Sequence, residues 1–204
     1  MELNPENNLI QLAGAVGGRP LYSHSSRGLD FYTFPLEVRR LSGAVDRLPL
    51  VIRRDLLETL ELKPAARLKV LGQLRSFNNR SGQGARLVLT VYCRELSFTD
   101  EEDQNQILLR GSLCKAPKLR RTPLGREICD LMLAVNRSYA RSDYLPCICW
   151  GKLARQAAQW QVGDRLRLEG RLQSRAYVKL TEDGPLEKTA YEVSVGALAR
   201  EDGL

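Results

Sequence analysis

Histidine is almost missing from this chain. Of 204 residues one is His, two are Met and two are Trp, and the aromatic residues Phe, Trp and Tyr together make up 6%. A nucleophile–His–acid arrangement therefore has a single candidate base, His24, and it stands in "YSHSSRG", a stretch that reads as loop. The five cysteines (Cys93, Cys114, Cys129, Cys147, Cys149) are odd in number and match no zinc spacing, so they read as reduced, buried thiols. No phosphate-binding glycine loop is present, and no cofactor or metal site is expected. No run approaches the roughly 18 consecutive apolar residues of a membrane span. The opening "MELNPENN" has neither a basic region nor an apolar core of the kind a secretory signal carries. The expectation is a cytoplasmic, nucleoid-associated protein that binds rather than catalyses, with no membrane contact.

What the chain does have is positive charge, unevenly spread. The formal net charge is +7. Residues 1–104 hold 14 Lys and Arg against 13 Asp and Glu, whereas residues 105–204 hold 17 against 11. A basic excess of that kind suits a polyanionic partner.

It also has an internal repeat. At an offset of 97, Asn8/Asn105, Leu12/Leu109, Gly14/Gly111, Arg40/Arg137, Asp46/Asp143, Leu48/Leu145 and Pro49/Pro146 coincide; at 98, Arg67/Arg165, Gly72/Gly170, Leu74/Leu172 and Ser76/Ser174 do. A hairpin six residues longer in the second copy then pairs Leu89 with Val193 and Val91 with Val195 at 104. The acidic run "TDEEDQ" lies between the copies. The chain thus divides into a diverged N-terminal domain (1–98), an acidic linker (99–104) and a C-terminal domain (105–204).

Within each copy apolar and polar residues alternate, the mark of half-buried strands. In "RLRLEGRLQSRAY" (165–177), Leu166, Leu168, Gly170 and Leu172 take the core side, and Arg165, Arg167, Glu169, Arg171, Gln173, Arg175 and Tyr177 the wet side. Gly170 and Gly72 sit on the core side where a second backbone passes close. One helix signal per copy falls between the third and fourth strands: "WGKLARQAAQWQVGD" in the second, with Leu153, Ala154, Ala157 and Ala158 on one stripe, and "RRDLLETLELKPA" (53–65) in the first. This order predicts an all-β protein with short helices, two tandem five-stranded OB-fold barrels.

The segment "APKLRRTPLGREICDLMLAVNRSYARSDYLPCICWGKLARQAAQWQVGDRLRLEGRLQSRAY" adds a resemblance. Its R-x-T-P-x-G hairpin tip (Arg121, Thr122, Pro123, Gly125), its Trp150–Ala154 helix entry and its Gly163–Leu172 strand are similar to the bacterial single-stranded DNA-binding proteins over residues 105–199. Residues 7–98 look like a diverged second copy. The resemblance implies base-stacking aromatics at Tyr139, Tyr144, Trp150 and Tyr177. The residues agree independently, since non-specific single-strand binding needs flat π-surfaces and nearby cations. In "DYLPCICW" Leu145, Cys147 and Cys149 point to the core; Tyr144, Pro146, Ile148 and Trp150 point outward. Lys118, Arg120, Arg121, Arg137, Lys152, Arg171 and Arg175 are the phosphate-contacting candidates, with Lys115 and Arg126 beside them. Trp160 reads as packing.

At the aligned positions the first copy has Ser42, Arg47, Arg53 and Asn79 in place of the four aromatics. It keeps Arg39, Arg40, Arg47, Arg53, Arg54 and Arg75, with Phe77 as a single candidate stacker. Arg40, Arg47, Arg53, Arg75 and Phe77 are therefore expected to form a secondary nucleic-acid face, or else an assembly surface. The reading is sequence-nonspecific binding of single-stranded DNA in replication, recombination or repair, by a non-enzyme. The resemblance implies four barrels, which a homodimer would supply, and no acidic tail for recruiting replication proteins follows "GALAREDGL". The alternatives are a primosome-type accessory module that binds mainly protein, and an RNA-binding protein on the same scaffold.

Overall fold

The structure, a computed structural model, describes residues 7–60, 62–63, 66–79, 85–181 and 184–201. The chain runs β1 (Asn8–Val16), β2 (Leu21–Ser26), β3 (Leu29–Arg39), β4 (Val45–Arg53), α1 (Arg54–Glu58), β5 (Arg67–Asn78) and β6 (Leu87–Phe98). It repeats that order as β7 (Gln104–Leu113), β8 (Lys118–Arg121), β9 (Glu127–Arg137), β10 (Arg141–Trp150), α2 (Lys152–Ala157), β11 (Arg165–Thr181) and β12 (Gly184–Arg200). The protein is all-β with two short helices. Among the described residues each half carries six strands, because the first hairpin contributes a short strand of its own, β2 or β8.

The pairings in each half follow a closed path. β1 pairs with β3 and β5, β3 with β4, β4 in parallel with β6, and β6 with β5; β7, β9, β10, β12 and β11 do the same. The inward residues of both halves belong to one continuous apolar core that includes Ile10, Leu36, Leu50, Leu74, Leu109, Leu133, Leu145 and Leu172. Gly72 and Gly170 stand at matching irregularities of register, between Leu71 and Gly72 and between Glu169 and Gly170. A Cβ on Gly72 would collide with the Tyr92 carbonyl, and one on Gly170 with that of Ser194, so both strands bend there against a passing backbone.

The register corrects the alignment of the last strands. Gly72 faces Cys93 and Gly170 faces Val195; Leu74 faces Val91 and Leu172 faces Val193. The offset is thus 102, not 104, and the second hairpin is four residues longer rather than six. A slip of two leaves every side chain on its expected face, so hydrophobic alternation cannot detect it.

The two halves are joined edge to edge. β1 and β7 run antiparallel with Ile10 opposite Ile107 at the centre, flanked by Leu9–Leu108 and Gln11–Gln106, which makes one sheet of twelve strands. The axis relating the halves passes through that central pair. Asp46 and Asp143, each fully buried, reach across it to the opposite half. Asp46 accepts from the Ser174 backbone N–H at 2.7 Å and its hydroxyl at 3.0 Å, and Asp143 accepts from the Ser76 N–H at 2.7 Å. Arg40 closes on Asp46 at 2.6 and 2.8 Å, while Arg75 (3.1 Å) and Arg137 (3.4 Å) flank Asp143. Burial pushes the Asp46 carboxyl up, but hydrogen bonds from Arg40 and Ser174 outweigh it and hold the group below its ordinary range. For Asp143 burial prevails over its Ser76 and arginine partners, and the group is held above that range.

The connector between the halves is seated on the first. Arg67 pairs with Asp103 at 2.7 Å, Lys69 with Glu101 at 2.6 Å, and the Arg39 N–H donates to Asp103 at 2.6 Å. The helix expected over 53–65 is five residues long; Glu61, Pro64 and Ala65 lie outside the described residues, as does the end of the chain from Asp202. α2 buries Ala154 and Ala157, and Trp160 packs against the core behind it. All five cysteines are free thiols, four of them buried, and burial pushes Cys93 and Cys149 up to about 12.

Candidate nucleic-acid interface

On the outer face of the second half, strand register decides which side chains meet. Trp150 is directly opposite Ile128, Ile148 opposite Asp130, Pro146 opposite Met132 and Tyr144 opposite Ala134. β12 lies in parallel beside β10 with Ser194 next to Ile148, and Arg171 is in turn opposite Ser194. Directly paired residues share a face, so Arg171, Arg175 and Tyr177 stand on the same side of the sheet as Tyr144 and Trp150. Tyr144 is 46% exposed and Trp150 39%. The Arg175 guanidinium lies 5.7 Å from the centre of the half-buried Tyr177 ring, within cation–π range. Tyr139, 61% exposed, stands in the turn between β9 and β10 with a left-handed backbone (φ 63°) that lifts it from the sheet.

Two outward expectations fail. Ile148 is buried although it shares the face of Trp150, as is Ile128, and Gln173 is also buried. Trp150 is directly opposite Ile128 and two residues from Ile148 on the same face of β10, next to these buried side chains in the register.

The cations divide into two groups. Lys118, Lys152 and Arg171 are exposed and have no carboxylate partner among the described residues. Three others are engaged: Arg120 grips Asp130 with two bonds at 2.5 and 3.0 Å, Arg121 pairs with Glu127 at 3.5 Å, and Arg137 belongs to the Asp143 cluster. In the first half, Arg40 and Arg75 are spent on Asp46 and Asp143 at the seam. Arg47 holds Glu37 and the Gly17 carbonyl, Arg53 holds Asp55, and Arg54 holds Glu58. Phe77 is 53% exposed on β5.

Pattern reading overlooked three rings on the first half. Phe31, Tyr92 and His24 gather on its outer face: His24 is stacked on Phe31 at 4.8 Å and 10°, and Phe31 lies 6.2 Å from Tyr92. The parity of β3 and β6 alone would have placed Phe31 and Tyr92 outward. His24 joins them because the register shifts between Tyr22 and His24.

The model of the single-strand binding protein family matches residues 104–199. Single-stranded DNA-binding protein B of Bacillus subtilis (strain 168) is 39% identical over 80 residues, which is 36% of this chain and 71% of that protein. The chain belongs to the single-strand binding protein family. Single-stranded DNA-binding protein 2 of Listeria innocua is 36% identical over 80 residues, or 36% of this chain; the chain spans about half the length of that relative (50%). The fold of the whole chain, both halves included, is similar to that of the wild-type single-stranded DNA binding protein from Thermus aquaticus. That likeness has a TM-score of 0.74 and 24% identity, and covers 96% of this chain and 93% of that one.

Proposed function

We propose that the protein binds single-stranded DNA without marked sequence preference, chiefly through the outer face of residues 105–199. Members of the family are DNA-binding proteins and not enzymes. The observation that carries the reading is the coincidence, on one face, of exposed Tyr144 and Trp150 with Arg171, Arg175 and Tyr177. Stacking there is tolerant of base identity because every base offers a π-face, and it is worth roughly 1–3 kcal/mol per base. Lys118, Lys152 and Arg171 supply phosphate contacts that need no ion pair broken first.

Each half is read as an OB-fold barrel, a reading supported by the closed path of pairings, with 99–104 as connector. Two such chains in a homodimer would bring four barrels together. The proposed setting is the bacterial cytoplasm, on DNA undergoing replication, recombination or repair; among the described residues no helix is long and apolar enough to cross a membrane. Titrating oligo(dT), oligo(U) and duplex DNA against the fluorescence of Trp150 and Trp160 tests the reading. Strong quenching by oligo(dT), less by oligo(U) and little by duplex supports it. Preference for oligo(U) would make the protein an RNA binder, and no quenching by any of them would favour a protein-binding module.

A further inference from the structure

We propose that the outer face of the first half is a second stacking site for the same DNA strand, built on His24, Phe31 and Tyr92 and completed by Tyr139 from the second half. The inference rests on the reading of the second half as a single-strand binder, and adds to it a site at positions where the second half has no aromatic residues.

The His24 ring lies nearly parallel on Phe31, and β2, which carries it, is exposed along its whole length. Phe31 is itself 8% exposed. Phe31 therefore backs the imidazole, and the free face of His24 is the surface a base would meet. A ring held flat by a second ring loses little freedom when a third plane is added to the stack. Tyr92, half-buried, continues the row toward the seam, where the Arg75 guanidinium lies 5.9 Å from its ring centre. Between the halves runs a cleft of about 270 Å³ lined by Gln73 and Arg75 on one side and by Arg137 and Ser138 on the other.

Ser138 leads directly into Tyr139. The Arg27 guanidinium, at the turn just beyond β2, lies 5.6 Å from the centre of the Tyr139 ring and so reaches it from the first half. Tyr139 thus stands over the first half, beside the hairpin that presents His24. Rings and guanidinium groups meet at two places on this face, the combination that single-strand recognition uses. A cluster made only for packing would have hidden the imidazole and Tyr139, and both are open.

The test uses the full chain and fluorescently labelled oligo(dT) of two lengths, one short enough for a single half and one long enough to cross the seam. His24→Ala is expected to weaken binding of the long oligonucleotide roughly fivefold to a hundredfold, the equivalent of one lost stack, and to leave the short one unchanged; Tyr139→Ala is expected to weaken the long one as much and the short one less. His24→Tyr, which keeps a flat ring, should restore the long-oligonucleotide affinity. Unchanged binding of the long form by both alanine variants, with native circular dichroism, overturns the proposal. So does an equal loss on both lengths, which would place Tyr139 in the second half's own site. Should His24→Ala fail to fold, Arg27→Ala carries the same expectation and the same refutation. Tyr144→Ala with Trp150→Ala, run alongside, must weaken the short oligonucleotide; if it does not, the reading of the second half fails separately.

Discussion

Where the second half has Trp150 opposite Ile128, the first has Arg53 opposite Phe31; where the second has Arg171 opposite Ser194, the first has Gln73 opposite Tyr92. Phe77 stands at the place of Arg175, and Arg47 at the place of Tyr144. The two faces have exchanged rings and cations strand by strand while the scaffold beneath stayed the same. The consequence is that counting aromatics at aligned positions underestimates the first half. A stacking surface is a property of a face, and a ring can reach it from any strand of suitable parity.

The largest effect is expected from writing the first face into the second. Tyr144→Arg with Trp150→Arg adds two positive charges and removes two stacking surfaces. Oligo(dT) titration should show a loss of about 2–5 kcal/mol, allowing for phosphate contacts made by the new arginines. Thermal stability should fall as well, because Trp150 is next to Ile128 and Ile148, both buried, in the register. Tighter binding would mean that charge rather than stacking governs the second face.

The seam distinguishes the halves next. Asp46→Ala leaves Arg40 without its carboxylate, with only the Ser174 carbonyl still accepting from it, and the Ser174 N–H without an acceptor; disrupting a buried pair of this kind costs on the order of 3 kcal/mol in denaturant unfolding. Asp143→Asn should cost less, since the amide oxygen still accepts from Ser76 and a carboxylate that burial disfavours is removed. The pH dependence has opposite signs at the two sites. Asp46, held below its ordinary value near 3.8, contributes stability above that value and loses it as the pH falls through its lowered pKa. Asp143, held above 3.8, contributes stability below that value and loses it as the pH rises through its raised pKa. Unfolding measured from neutral pH down to about pH 3 should therefore show the Asp46→Asn deficit shrinking with acid. Over the same range the Asp143→Asn variant should lack an acid-side gain that the unmodified protein has. Parallel profiles for the two variants would remove the asymmetry of the seam.

Salt dependence separates paired cations from unpaired ones. Each phosphate neutralised on a single strand contributes about −0.7 to the log–log slope of affinity against salt. Lys152→Gln and Lys118→Gln should each flatten the slope by about that amount. Arg120→Gln should change it less, because Arg120 already holds Asp130. Equal changes at all three positions would show that the Asp130 pair opens on binding.

Much of this was legible before any coordinate. The duplication, the strand order and the outward placement of Tyr144 and Trp150 follow from alternation of period two and an offset of 97. That same periodicity concealed the two-residue slip in the last strands. Asp46 and Asp143 were visible as repeated residues, but their partners Ser174 and Ser76 lie 128 and 67 residues away, beyond the reach of any local pattern. His24 read as loop because it stands where β2 bulges. Without the extra residue Ser23 would face Phe31; with it, His24 does.

The smallest effect concerns the connector. Arg67 and Lys69 on the first half are held by Asp103 and Glu101, in pairs whose side chains are all between about one-fifth and one-half exposed. Such pairs contribute about 0–1 kcal/mol, so Glu101→Gln with Asp103→Asn should leave the melting temperature nearly unchanged. Their effect on the comparison is larger than their effect on stability. The connector places carboxylates on cations that could otherwise meet phosphate, and removing the carboxylates makes the first half more like the second. Long oligo(dT) should then bind slightly more tightly, with a salt slope steeper by about 0.7 for each cation that finds a phosphate. A short oligonucleotide held by the second half alone should show no change. If neither length responds, Arg67 and Lys69 lie off the path of the strand, and the acids serve only to seat the connector. A gain confined to the long oligonucleotide would show instead that the first half is restrained by its own linker as well as by its rearranged face.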